Sequence, residues 1–198
     1  MIGIRIIMIA VVGLICATPA ASAGEELRGE IKVTPSWHST DLVVYLANPP
    51  PLPGPLPPTT AVMDQRNQTY HPHVLAIVRG TTVKFVNSDR VAHNVFSLSP
   101  TKNFDLGKIA PNSFRLITFE KAGIIEVLCG FHSRMLAYIR VMEHPFFAVP
   151  DAQGKFVIKG MPTGAYQLRI WHESLGEISE EVKVTAGQSA QVRLHFPK

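Results

Sequence analysis

The chain reads as an all-β protein built from two β-sandwiches. Short runs rich in β-branched and aromatic residues recur between turn signals along its whole length. No stretch keeps a 3.6-residue apolar period over three helical turns. Residues 49–58 hold seven prolines in ten positions, which cannot continue a sheet ladder and favour a stiff polyproline II linker. A second break falls at residues 143–150, where Pro145 and Pro150 interrupt a β region.

In chain order, apolar residues alternate or cluster over residues 27–33 and 41–46, before the proline block. After it, strands are expected at 74–78, 82–86, 91–98, 114–119, 124–128 and 136–142. A short helix or 3₁₀ turn fits between Pro100 and Leu106. Beyond the second break, strands are expected at 156–159, 165–171, 178–185 and 190–196. Phe156, Ile158, Tyr166, Leu168 and Ile170 share one face at period two and supply a core.

The first 23 residues have the form of a secretory signal peptide. Arg5 supplies the charge, residues 6–17 the short apolar run, and Ala21-Ser22-Ala23 the cleavage signal. The run is short for a bilayer span, and Ile15 before Cys16 disfavours lipid attachment there. A periplasmic or otherwise exported chain starting at Gly24 is expected, soluble and without stable membrane insertion. The formal net charge of +4 falls to +3 without Arg5. With no basic run and no aromatic–basic interleaving, nucleic-acid binding is not expected.

Cleavage after Ala23 would leave Cys129 as the sole cysteine. A lone thiol in an exported protein has no disulfide partner, and its bland reading is a buried, inert side chain. Its neighbours argue otherwise. Cys129-Gly-Phe-His132-Ser-Arg-Met135 places a thiol, an imidazole and a thioether in one loop, and His93 lies 36 residues upstream. Two His, one Cys and a weak axial Met form the donor set of a blue-copper centre. A zinc site would need a further strong donor, and Met is a poor one.

The residues around these ligands resemble the cupredoxin family. The C-x2-H-x2-M loop is similar to the short ligand loop of the amicyanins, and Asn87–Val95 is similar to the segment that carries the upstream His in amicyanins and pseudoazurins. The resemblance spans residues 60–142. It implies a Greek-key sandwich holding one type 1 copper ion on His93, Cys129, His132 and Met135. It also implies that Asn94 bridges the two ligand loops and that His132 is the more exposed ligand, serving as the electron port. His71 and His73, spaced i, i+2, read as half-exposed edge strand, with a second metal site as the alternative. His38, His144, His172 and His195 have no ligand spacing and read as structural. One H-x-H pair and no H-C-H falls short of the His clusters that resemblance to multicopper oxidases or copper nitrite reductases would require, so an enzyme is not expected.

The tail pattern D-x-x-G-x-F-x-I…P-x-G-x-Y-x-L, from Asp151 to Leu168, resembles the carboxypeptidase regulatory-like, or transthyretin-like, β-sandwich. Its opening strands are missing from the tail and are similar to residues 27–33 and 41–46. The expected organisation is therefore a signal peptide at 1–23, a split sandwich from 24–48 and 144–198, a linker at 49–59 and the cupredoxin domain at 60–143. Strand 41–46 should bury either Val43 and Tyr45 or Leu42, Val44 and Leu46, since register lets only one set point inward. The function these features imply is single-electron transfer to and from a redox partner protein. A copper-handling role without such a partner is the alternative. A carbohydrate-contacting module is a third reading, and it would need an exposed aromatic strip around Trp37 or Trp171.

Overall fold

The computed structural model describes residues 25–33, 38–52, 54–185 and 190–196. The signal-peptide reading, Cys16 and Trp37 lie outside these described residues. Two strands precede the proline block, β1 (Glu25–Val33) and β2 (Val43–Leu46). Nine follow it: β3 (Thr60–Arg66), β4 (Thr69–His71), β5 (Val74–Val78), β6 (Thr81–Asn87), β7 (His93–Ser97), β8 (Phe104–Ile109), β9 (Ser113–Phe119), β10 (Gly123–Leu128) and β11 (Leu136–Met142). The last five are β12 (Phe147–Ala148), β13 (Lys155–Met161), β14 (Gly164–His172), β15 (Gly176–Val184) and β16 (Ala190–Phe196). Among the described residues the only helical element is a 3₁₀ turn at Ser39–Asp41.

Strands β3 to β11 form two facing sheets, ordered β5-β11-β10-β7-β8 and β4-β3-β6-β9. Alternate side chains from each sheet enclose one core, with Met63, Tyr70, Val83, Phe85 and Phe119 on one side. Ile77, Val95, Ile109, Ile125, Val127 and Ile139 meet them from the other. Three of these strands, β3, the three-residue β4 and β8, are absent from the apolar pattern. In β3 the inward positions are Met63 and Gln65, so a buried polar side chain hides the alternation. The expected turn after Pro100 is short, closed by the Lys102 N–H donating to the Ser99 carbonyl at 3.1 Å, and β8 is extended from Phe104 onward. It pairs with β7 from His93↔Ile109 to Ser97↔Phe104, with a bulge between Asn94 and Phe96. The bulge and the positive φ of Gly107 break the period-two signal.

The remaining strands form a second pair of sheets. β1 lies between β13, antiparallel, and β16, parallel. β2 lies between β12 and β14, and β15 closes that sheet. Leu27, Ile31, Phe156 and Ile158 from the first sheet pack on Val44, Leu46, Leu168, Ile170 and Val182 from the second. Strands from both ends of the chain thus surround one core.

One of the two alternative faces of β2 points into the core of its own sandwich, and the other is buried as well, at the junction. Leu42, Val44 and Leu46 enter the second core, while Val43 and Tyr45 pack with Val74, Met142 and Trp171 against the first sandwich. All four residues of β2 are buried. Around this junction, Arg140 stacks over Tyr45 and Trp171 at 5.2 and 5.5 Å from the ring centroids. It also donates to Tyr45 Oη at 3.0 Å, and Tyr45 donates to the Glu177 carboxylate. Trp171 is therefore a junction residue, and no exposed aromatic strip is built on it.

Because Leu46 is fully buried in the second core, Leu46→Ala should lower unfolding stability by about 2–5 kcal/mol. Equilibrium urea unfolding of the variant and the parent measures it. A loss below about 1 kcal/mol would show that this core collapses freely around the cavity.

Candidate metal centre

Three of the four expected donor side chains, those of His93, Cys129 and His132, meet where the loops of the first sandwich converge. His93 opens β7, Cys129 follows β10, His132 lies in the loop, and Met135 precedes β11. Two ladders set their approach, β10 with β11 over Gly123↔Val141 to Leu128↔Leu136 and β10 with β7 at Leu128↔Phe96. The turn between Cys129 and β11 is closed by the Met135 N–H donating to the His132 carbonyl at 3.0 Å.

His93 Nδ1 and His132 Nδ1 lie 3.1 Å apart, and Cys129 Sγ lies 3.9 and 3.7 Å from them. Among the described residues this is the one cluster of three His, Cys, Asp or Glu side chains close enough to share an ion. An ion about 2.0–2.1 Å from each nitrogen and about 2.3 Å from sulfur would set nitrogens roughly 3.3–3.6 Å apart. Nitrogen and sulfur would then be roughly 3.5–3.8 Å apart. The observed separations fall within a few tenths of an ångström of these values. The donor set fits a metal ion, and its softness fits copper.

His93 is fully buried, whereas His132 is partly exposed and Phe131 beside it is 55% exposed. Met135 is buried in the same apolar cluster as Cys129. Gln68, Thr69, Phe131, His132, Ser133, Arg134 and Met135 line a surface groove next to the centre.

A hydrogen-bonded frame holds the ligands. Asn94 Oδ1 accepts from the Gly130 N–H at 3.2 Å, and Asn94 Nδ2 donates to Asp105 at 2.7 Å. Residue 130 must be glycine for this approach, since a Cβ there would lie 2.7 Å from Asn94 Oδ1. Tyr70 donates to the Leu128 carbonyl at 3.0 Å, just before the cysteine. Burial and the neighbouring Cys129 both raise the Tyr70 pKa, so it stays a donor.

Asp89, which the sequence reading did not single out, fixes the other ligand. Its Oδ2 lies 2.8 Å from His93 Nε2. A carboxylate there keeps the imidazole proton on Nε2 and leaves the Nδ1 lone pair facing Cys129 and His132. Asp89 is itself held by backbone N–H groups of Asn67 at 2.6 Å and Gln68 at 2.9 Å. Both residues have φ near +55°, as in a two-residue type I′ hairpin turn. Burial works to raise the Asp89 pKa, but the bonds from Gln68, His93 and Asn67 outweigh it and hold the carboxyl below its ordinary range. The Asp-x3-His spacing was the available signal.

The other histidines stand apart from the centre. His71 ends β4 and precedes a cis proline, so His71 and His73 do not share a strand face. His73 Nε2 reaches Glu173 at 3.2 Å across the junction. His144 accepts from the Phe146 N–H at 3.2 Å, and burial lowers its pKa.

No protein-family model matches the chain, and no curated protein matches it. Among solved structures, the chain is similar to a reduced Trp-to-Tyr variant of amicyanin. The TM-score is 0.40 and the identity 22%, over 42% of this chain and 82% of that one. It is also similar to a purple cupredoxin from Nitrosopumilus maritimus, with a TM-score of 0.38 and 26% identity over 41% of this chain and 99% of that one.

Asp89→Asn should lower metal affinity about 10- to 100-fold, because an amide supports the Nε2–H tautomer less strongly. Chelator competition with the parent and variant reads this directly. Unchanged affinity would show that the hairpin contacts alone orient His93.

Proposed function

We propose that the first sandwich holds one copper ion on His93 Nδ1, His132 Nδ1 and Cys129 Sγ, with Met135 as the weak fourth ligand. In this reading the exported protein carries single electrons between redox partners. The observation that carries it is the convergence of two imidazole nitrogens and one thiol within 3.1–3.9 Å in a rigid β framework. Copper in such a donor set alternates between Cu(II) and Cu(I).

The chain's own residues supply the rest. Cys129 gives up its proton on loading and offers a soft anionic donor. Asp89, Asn94 and Tyr70 hold the donors in place, so both oxidation states meet the same geometry. The buried His93 and Met135 close the centre on the inside, and the partly exposed edge of His132 beside Phe131 is the electron port. The flanking strands 24–48 and 144–198 form a split sandwich, a reading supported by the pairing of β1 with β13 and β16 and of β2 with β12 and β14. Their sequence resemblance to transthyretin-like modules assigns them no activity of their own.

Adding Cu(II) to the purified protein should give an intense thiolate-to-copper absorption band that ascorbate bleaches and oxidant restores. Cys129→Ser should abolish the band, because a hydroxyl does not supply the soft anionic donor. Met135→Leu should keep it and raise the reduction potential by roughly 60 mV, the one-electron equivalent of a tenfold shift towards Cu(I). A colourless complex with weak d–d absorption would overturn the assignment. A blue form that passes copper to an acceptor instead of cycling would favour the copper-handling role. Cleavage after Ala23 is checked by intact mass, which should begin at Gly24.

A further inference from the structure

The Asn94 amide, which touches the loop after Cys129, is itself gripped from its far side. In β7, His93, Val95 and Ser97 are buried, so Asn94 and Phe96 point outward. In β8, Phe104, Leu106 and Ile109 all pack on the core of the first sandwich. The step from Leu106 to Ile109 is one residue longer than strand alternation allows, and the register slips with it. Asn94 lies opposite Lys108, whereas Phe96 lies opposite Asp105. The extra residue is Gly107, whose φ of 67° suits a bulge. An unbroken ladder from the Asn94↔Lys108 pair would set Asp105 opposite Ser97 and aim its carboxylate inward, because a one-residue slip exchanges the two faces of a strand. The bulge turns Asp105 outward instead, onto the face that carries Asn94. There Asp105 Oδ1 accepts from Asn94 Nδ2 at 2.7 Å and from the Gly107 N–H at 2.8 Å. The Gly107 bond and then the Asn94 bond hold the Asp105 carboxyl below its ordinary range, so it stays an acceptor.

We propose that Asp105 is a positioning residue for the Cys129 loop and acts through the orientation of the Asn94 amide. An amide offers donors on one side and an acceptor on the other. With the carboxylate taking Nδ2, Oδ1 turns to the Gly130 N–H, which it meets at 3.2 Å. A flipped amide would set acceptor against acceptor at Asp105 and donor against donor at Gly130. Among the described residues the Asn94 side chain has no other hydrogen-bond partner, so these two contacts decide its orientation. Of the two, the bond to the carboxylate is charge-assisted, which makes it roughly twice as strong as a neutral one. A chain of bonds thus runs from the bulge in the edge strand β8 through Asp105 and Asn94 to the residue that follows the thiol. The consequence for metal binding rests on the proposed copper reading, and the chain of bonds does not.

The chain from Gly24 onward, which keeps every described residue, is compared by NMR in copper-free form with its Asp105→Ala and Asp105→Asn variants. Exchange of the Gly130 N–H with water should rise about tenfold in Asp105→Ala, where the amide is released. Asp105→Asn, whose side-chain oxygen still accepts from Asn94 Nδ2, should stay within about threefold of the parent. Amides of the β10–β11 ladder should be unchanged in both. After loading with Cu(II), Asp105→Ala should yield the ion to a chelator about tenfold more readily than Asp105→Asn, the low end of the loss expected when a support behind a ligand is removed. Unchanged Gly130 exchange in Asp105→Ala would overturn the proposal. So would equal acceleration in the two variants, or acceleration spread along the β10–β11 ladder. A parent protein that takes up no copper would overturn the metal reading instead and leave the Gly130 result standing.

Discussion

Strand β2 is buried on both faces, and the two sandwiches meet through it. Its even-numbered side chains, with Leu42, fill the core shared with β13, β14 and β15, and its odd-numbered ones seal the junction against Val74 and Met142. A four-residue strand with no polar side to show water fits only between two apolar surfaces. This explains why a segment near the start of the chain is held between strands from its end. Arg140, Tyr45 and Glu177 form a hydrogen-bonded polar rim along the seam, although Arg140 Nε itself stays buried without a partner. Neither sandwich can shed the other without exposing Val43, Tyr45 and Trp171.

The candidate metal centre depends on a different kind of constraint. Bringing two imidazole lone pairs within 3.1 Å is unfavourable without a shared proton or cation. The surrounding framework must hold them there. It does so with hydrogen bonds from sequence-distant elements: Asn94 to the loop after Cys129, Tyr70 to Leu128, and the 66–69 hairpin through Asp89 to His93. Asn87 completes the frame, donating to the carbonyls of Val91 and Ile109 at 2.9 Å each. Donors fixed before an ion arrives would need little rearrangement between its oxidation states, which is the property that the proposed electron-carrier reading requires.

How much of this was legible varies with the range of the interaction. The loop after β10 is local, so the spacing of Cys129 and His132 shows in the sequence, and His93, which the fold brings to them, lies in an equally compact segment. Strands with apolar inward rows, such as β6, β10 and β11, show as well. Of the missed strands, β4 and β12 are only three and two residues long, while β3 and β8 carry a buried Gln65, a bulge and a left-handed glycine, each of which interrupts period two. Asp89 was passed over because its role requires the Asn67–Gln68 turn to fold against it from more than twenty residues away. The double burial of β2 could not be read from alternation at all, since both of its faces are apolar.

Charge offers the clearest case of information that exists only after folding. A formal net charge of +4 over 198 residues, with no basic run, suggests an unremarkable surface. Yet Arg28 and Lys32 lie more than 120 residues from Lys155 and Lys159, and the register of β1 with β13 and β16 brings them onto one face with Arg193. The carboxylates of Glu177 and Glu181 point outward from the other sheet of the same sandwich. Packed sheets sit about 10 Å apart, close to one Debye length at physiological salt. Outside each face the nearer charges therefore dominate. The other sheet balances its two carboxylates with Arg169 and Lys183, so the excess of cations belongs to the β13-β1-β16 face and is concealed by the average charge. The balanced side faces Arg140 and the first sandwich, where Glu177 pairs with both Arg140 and Arg169.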